Sequence, residues 1–124
     1  MSTEKQLEEV IARVEGEMTG FIAASIVDLE SGMTLVARSA RSDFDLAVAS
    51  AYNRELVKQK LKIVKALGLK TTLEDMLLTL GDQLHLIKIF PGGTTFLYLA
   101  AERASTNLAI VRNAVNKHVA ALQH

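Results

Sequence analysis

The sequence contains no cysteine, which removes disulfides, thiolate metal sites and a cysteine nucleophile in one step. A reducing compartment, the cytoplasm, is the expectation. Proline occurs once, at Pro91, and no Ser/Gly-rich or low-complexity stretch could serve as a linker, so one domain over 1–124 is expected. No charge of one sign is in excess. Lys+Arg 14 balance Asp+Glu 14, leaving no global field to attract nucleic acid or an anionic membrane. No apolar run approaches the roughly 20 residues that span a bilayer, and Met1 to Gln6 lacks the apolar core of a signal peptide, so neither secretion nor membrane insertion is expected. What is present is apolar residue at 49 % and charge at 23 %. Over 124 residues that is enough to bury a core and excludes the disordered class.

The first element reads as a helix. Leu7, Val10, Ile11 and Val14 recur at the spacing of one helical face, with Ser2 or Thr3 as N-cap and Gly16 or Gly20 as terminator. Phe21 to Val27 is apolar at odd and even positions alike, as in a central strand covered on both faces. Asp28 to Gly32 supplies a turn, and Met33 to Ser39 returns as the second strand of a hairpin.

A long helix is predicted from a cap at Ser42 or Asp43 to Leu67, closed by Gly68. Leu46, Ala49, Leu56, Val57, Leu61, Ile63, Val64 and Leu67 form one broad apolar stripe. Phe44, Ala47, Val48, Ala51 and Tyr52 form a second stripe confined to the first half, with Glu55, Lys58, Lys62 and Lys65 replacing it in the second. A single sheet cannot bury both. The expectation is that one side covers the chain's own sheet and part of the other meets a second body, most simply a symmetry mate.

Three strands follow, Thr72 to Leu80, Leu84 to Phe90 and Thr95 to Ala101, joined by Gly81-Asp82 and Pro91-Gly92-Gly93 turns into a meander. A last helix runs from Ser105 to Leu122, with Leu108, Val111, Val115, Val119 and Leu122 on one face. The fold class predicted is α/β in the α+β sense: a five-stranded antiparallel sheet with helices on both faces, in the order helix, two strands, helix, three strands, helix.

That order carries Gly20-Phe21 before the first strand, Val27-Asp28 and Ser31-Gly32 in the first turn, and an Ala-rich helix from Asp43. It ends with Phe96-Leu97-Tyr98-Leu99 and then Asn107-Leu108-Ala109-Ile110-Val111-Arg112. Over almost the whole chain it resembles the roadblock family of dynein light chain-like domains, which includes bacterial regulators of Ras-like GTPases. The resemblance implies a homodimer in which the third strands pair edge to edge and the long helices pack together. In this sequence the dimer interface would fall on Leu73, Met76, Leu77, Leu78 and Leu80 of the third strand and on Phe44, Val48 and Tyr52 of the long helix. A protein partner docking on the helix pair would meet Arg54, Lys58 and Lys62. The function implied is that of a non-enzymatic adaptor or regulator of a small GTPase. The chain carries no phosphate-binding Gly-x-x-x-x-Gly-Lys-Ser/Thr motif of its own.

Other chemistry finds little footing. His85, His118 and His124 have no metal-ligand spacing, and Asp43 and Asp45, at i and i+2, diverge around a helix and suit capping. No serine sits in a Gly-x-Ser-x-Gly elbow. Lys58, Lys62 and Lys65 share a face that reads as solvated, Pro91-Gly92-Gly93 as a tight turn, and Arg38 and Arg41 as ordinary loop arginines rather than an arginine finger. No cofactor is implied. The alternative function is a small-molecule sensor of PAS-like or profilin-like type, which would need an apolar pocket with converging polar groups. The strands show no cluster of buried polar residues to build one.

Overall fold

The computed structural model describes residues 2–122; His124 lies outside them. Helix α1 (Glu4–Gly16) starts at Thr3, whose hydroxyl accepts from the Gln6 amide while the Gln6 side chain accepts from the Thr3 amide, a reciprocal cap that satisfies two otherwise orphaned donors. Leu7, Val10, Ile11 and Val14 are its buried face, as the periodicity predicts.

Strands β1 (Phe21–Asp28) and β2 (Thr34–Ser39) form the expected hairpin, and helix α2 (Leu46–Ala66) follows. Strands β3 (Asp75–Thr79), β4 (Gln83–Ile89) and β5 (Thr95–Glu102) form the meander, and a single 3-10 turn (Arg103–Ser105) precedes helix α3 (Leu108–Ala120). All neighbouring strands are antiparallel, in the spatial order β2-β1-β5-β4-β3. β1 is interior, as its two-sided burial predicts, but the middle place belongs to β5. The chain reaches it last, laying β5 between the hairpin and the rest of the meander.

The two faces of the sheet are closed differently. Helices α1 and α3 cover one, packing Ile11, Val14, Val111, Val115 and Val119 on Ala24, Ile26, Leu86, Leu97 and Leu99. On the other, Leu46 and Val57 of α2 pack on Ile22, Val27, Ile87, Phe96 and Tyr98. Burial of each large apolar side chain contributes about 1.5–3 kcal/mol, so both faces are needed to offset the entropy of ordering the chain.

Most boundaries fall within a residue or two of the sequence expectation, and three elements depart further. α2 begins at Leu46, and Asp45 is its cap, accepting from the Val48 amide at 3.1 Å. Asp43 instead pairs with Arg41 through two hydrogen bonds of 2.9–3.0 Å. The reason is Phe44, whose side chain packs against the sheet and holds residues 42–45 out of the helix. β3 is shorter than expected because Leu73 leaves the ladder and packs on the core under α2. α3 starts later, at the Asn107 cap, whose side chain accepts from the Ile110 amide.

Candidate interaction surface

β3 and β2 are the two edges of the sheet. Along β3 the register is unbroken, Asp75 opposite Lys88 through to Thr79 opposite Leu84. The ladder continues beyond both ends, with the Ile89 amide donating to Glu74 and the Leu80 amide to Gln83. Antiparallel pairs alternate between bonded and non-bonded. The bonded ones here are therefore Glu74, Met76, Leu78 and Leu80, and the N–H and C=O groups of Asp75, Leu77 and Thr79 face the open edge.

The side chains of β3 are less exposed than an apolar edge suggests. Met76 and Leu73 pack into the core under α2, and Leu77 into the core under α1 and α3. Leu78 is half-buried opposite His85, and Leu80, just past the strand, is 44 % exposed. The strand's one carboxylate, Asp75, is held by the Arg112 guanidinium of α3 through two hydrogen bonds of 2.9 and 3.1 Å.

On α2 the helix does present two apolar sides, but not as the periodicity divides them. Its sheet side is Leu46, Ala49, Ser50, Asn53, Val57, Leu61 and Val64, all buried or half-buried. Val48, Tyr52, Leu56, Ile63 and Leu67 are exposed, Tyr52 by 74 % and Leu67 by 66 %, and at the helical repeat they fall within about 100° of one another. The outer stripe therefore runs the length of the helix. Leu56, Ile63 and Leu67 belong to it and not to the sheet side. Phe44 is not on it, since it packs inward, edge-on to His85 with ring centroids 6.5 Å apart.

Of the three basic residues expected to meet a partner, Lys62 is exposed, Lys58 is half-buried, and Arg54 is engaged within the chain. Its Nε donates to the Leu29 carbonyl at 2.7 Å and its Nη2 to the Glu30 carbonyl. Arg54 thereby clamps the β1–β2 turn onto α2. In that turn Asp28 accepts from the amide and hydroxyl of Ser31, and these bonds hold its carboxyl below the usual range, with Arg54 adding a smaller pull. Gly32 has φ +77° and lies where a Cβ would meet the Arg54 guanidinium at 3.1–3.2 Å. Gly20 is similarly confined, because a Cβ there would come within 2.7 Å of Ser105. Both glycines of the sequence resemblance thus answer to close approach.

Beneath α2 lies a polar group that the strand pattern does not reveal. Ser25 of β1 bonds Ser50 at 2.7 Å, and Ser50 also donates to the Leu46 carbonyl. Farther along, the Tyr98 hydroxyl is 3.3 Å from His85 Nδ1, and His85 Nε2 is 2.8 Å from the Gln83 side-chain oxygen. A neutral imidazole carrying its proton on Nε2 satisfies both. Burial lowers the His85 pKa, opposed by nearby Asp82. Burial pushes Tyr98 up to about 12, moderated by a hydrogen bond from Asn53. These groups bond one another and none lines the grooves of 290–570 Å³ on the surface, so they offer a ligand no converging set. On the opposite face His118 bonds Glu17, a structural pairing. Among the described residues no three His, Asp or Glu side chains are placed to hold a metal ion, and no helix is long and apolar enough to cross a membrane.

No protein-family model and no curated protein matches the sequence. Solved structures do match. MglB of Myxococcus xanthus aligns over 98 % of this chain and 88 % of its own with a TM-score of 0.84 at 13 % identity. The gliding protein MglB of Thermus thermophilus aligns over 98 % and 90 % with a TM-score of 0.81 at 15 % identity. A Roadblock/LC7 domain from Streptomyces avermitilis aligns over 99 % and 96 %, TM-score 0.74, at 13 % identity. With element order, sheet topology and near-complete overlap in agreement, the chain has the roadblock fold.

Proposed function

We propose that this chain is a non-enzymatic, cytoplasmic homodimeric platform that regulates a Ras-like small GTPase. The observation that carries the reading is the coincidence of an unbroken β3 edge with a full-length apolar stripe on α2. A second copy related by a two-fold axis would pair its β3 with this one through the outward groups of Asp75, Leu77 and Thr79, and would cover Val48, Tyr52 and Leu56 with its own α2. Leu78 and Leu80 would be desolvated at the same junction. Met76, Leu77 and Leu73 support the edge from inside. The joined helices would form the floor on which Lys58 and Lys62 meet a protein partner, while Arg54 contributes by fixing the β1–β2 turn. The GTPase as partner class rests on the resemblance of the sequence and on the likeness of the fold to MglB structures.

Sedimentation equilibrium at micromolar concentration is expected to return a dimer, and a stable monomer would remove the physical basis of the reading. Single-turnover GTP hydrolysis by a small GTPase from the same cell, with and without the chain, tests the partner. An unchanged rate with every such GTPase would leave a dimeric adaptor and sink the regulator.

A further inference from the structure

The opposite edge of the sheet carries a site with different chemistry. The Ala40 amide donates to Ile22, and with Ala24 opposite Arg38 and Ile26 opposite Val36 the alternation of the ladder turns the N–H and C=O groups of Ala37 and Ser39 outward. Beside that edge lies a groove of about 570 Å³, the largest of those described, bounded by β2 and by the flank of α1. The α1 side supplies Glu4, Glu8 and Ala12; the β2 side supplies Val36 through Ser39. Arg38, the basic residue in the lining, is paired with Glu15. Glu4 and Glu8 make no ion pair among the described residues, so the groove has a net acidic wall above an open strand edge.

We propose that this groove takes an extended segment of a partner protein as an added strand on β2, selecting one with basic side chains at alternate positions. Backbone bonds to Ala37 and Ser39 would hold the segment without regard to sequence, and period-2 alternation would direct every second side chain under α1. Lysine there meets Glu4 and Glu8; glutamate there meets like charge beside a partly desolvated wall. Ala12 leaves room for the aliphatic stem of the incoming side chain. The site is independent of β3 and of the proposed dimer, since it lies at the far edge of the sheet.

The test is fluorescence anisotropy on the full chain with two short labelled peptides, one alternating Lys and Val, the other alternating Glu and Val. The Lys–Val peptide is expected to bind at least about tenfold more tightly, with affinity falling as salt rises. Ala37→Pro deletes an outward donor while leaving the bonds to β1 in place, and should weaken that peptide about tenfold or more. Thr79→Pro, at the β3 edge, should leave it unchanged. A double variant, Glu4→Lys with Glu8→Lys, alters only exposed side chains of α1 and should reverse the preference between peptides, which keeps the test decisive even if Ala37→Pro does not fold. Equal binding of the two peptides, a loss with Thr79→Pro, or an unreversed preference in the double variant would overturn the proposal.

Discussion

The two edges of the sheet are built to opposite specifications. At β2 the pairing with β1 slips between Ile26 and Val27, and this bulge lets the adjacent residues Leu35 and Val36 both pack toward the core under α1 and α3. Arg38 stands on the strand, and α1 overhangs it with Glu4, Glu8 and Glu15. Bulges, charges and overhangs are what keep a strand from pairing with its own kind. β3 has no bulge and no unpaired charge. Its register is straight, its residues between Asp75 and Thr79 are Met, Leu and Leu, and its one charge is already held by Arg112. A guarded edge admits only a complementary strand, whereas an unguarded one accepts a copy of itself. The contrast therefore assigns self-association to β3 and leaves β2 for something else.

One lysine on each edge should break that symmetry most plainly. Leu78→Lys would place an ammonium beneath a junction that dimerisation desolvates, and should weaken the dimer by about 2–3 kcal/mol, roughly 30- to 150-fold. Ala37→Lys puts the same charge on an exposed residue of β2 and should leave the dimer constant within a factor of about two. Sedimentation equilibrium on both, with circular dichroism to confirm folding, would show a matched loss if the edges were equivalent. Next in size is Tyr52→Ala. The ring is 74 % exposed in the isolated chain, so monomer stability should move by no more than about 0.5 kcal/mol. The dimer should lose about 2 kcal/mol, the cost of removing a buried aromatic anchor. A Tyr52→Ala protein that dimerises normally would place the contact on β3 alone.

The same comparison shows what the sequence discloses. α1 is legible because every apolar residue on its repeat is buried and its cap is a local pattern, Thr3 with Gln6. The two-sidedness of α2 is legible too, since apolar residues in excess of one face must go somewhere. The line that faces the sheet is legible only in part. Leu46, Ala49, Val57, Leu61 and Val64 lie on it, but it also contains Ser50 and Asn53, polar residues that a periodicity argument sends to water, while Leu56, Ile63 and Leu67 turn outward. Ser50 finds Ser25 on a strand remote in sequence, and Asn53 turns its amide back onto the Ala49 carbonyl one turn earlier. Arg54 conceals itself in the same way. A guanidinium on a helix reads as solvent-facing or partner-facing, and only the folded turn offers it the carbonyls of Leu29 and Glu30. For the β3 edge, the apolar composition is visible in the sequence, but the strand's outermost place follows from β5 inserting beside β1, a long-range pairing without a local signal.

Behind each edge, finally, sits a polar contact, buried at β2 and half-buried at β3, and the two differ in whether they titrate. Behind β2 it is Ser25, across from Ala37, bonded to Ser50 of α2. Ser50→Ala leaves the Ser25 hydroxyl without its partner and should lower the free energy of unfolding by about 1–3 kcal/mol in urea titration, equally at every pH and with the dimer constant unchanged once folding is accounted for. An unaltered midpoint would mean that water replaces the lost bond.

Behind β3 it is His85, across from Leu78, facing the Tyr98 hydroxyl, the Gln83 side chain and the edge of Phe44, with Asp82 nearby. Burial lowers its pKa below the ordinary 6.5, and Asp82 only partly offsets this. The unfolded chain therefore binds the proton more readily than the folded one. Stability is full above pH 6.5 or so and declines as pH falls toward the depressed folded value, below which it levels off. Glu17 acts in a separate, lower window. Hydrogen bonds from Lys117 and His118 depress its carboxyl, so its contribution is present above its ordinary value near 4.5 and is lost as pH falls through the folded one. Urea unfolding between pH 7.5 and 5 should thus show a modest fall in midpoint that His85→Gln flattens. Since Leu78 rests on His85, the dimer should weaken over the same interval. A pH response that survives His85→Gln undiminished would locate the sensitive group elsewhere and return the two edges to equal footing toward protons.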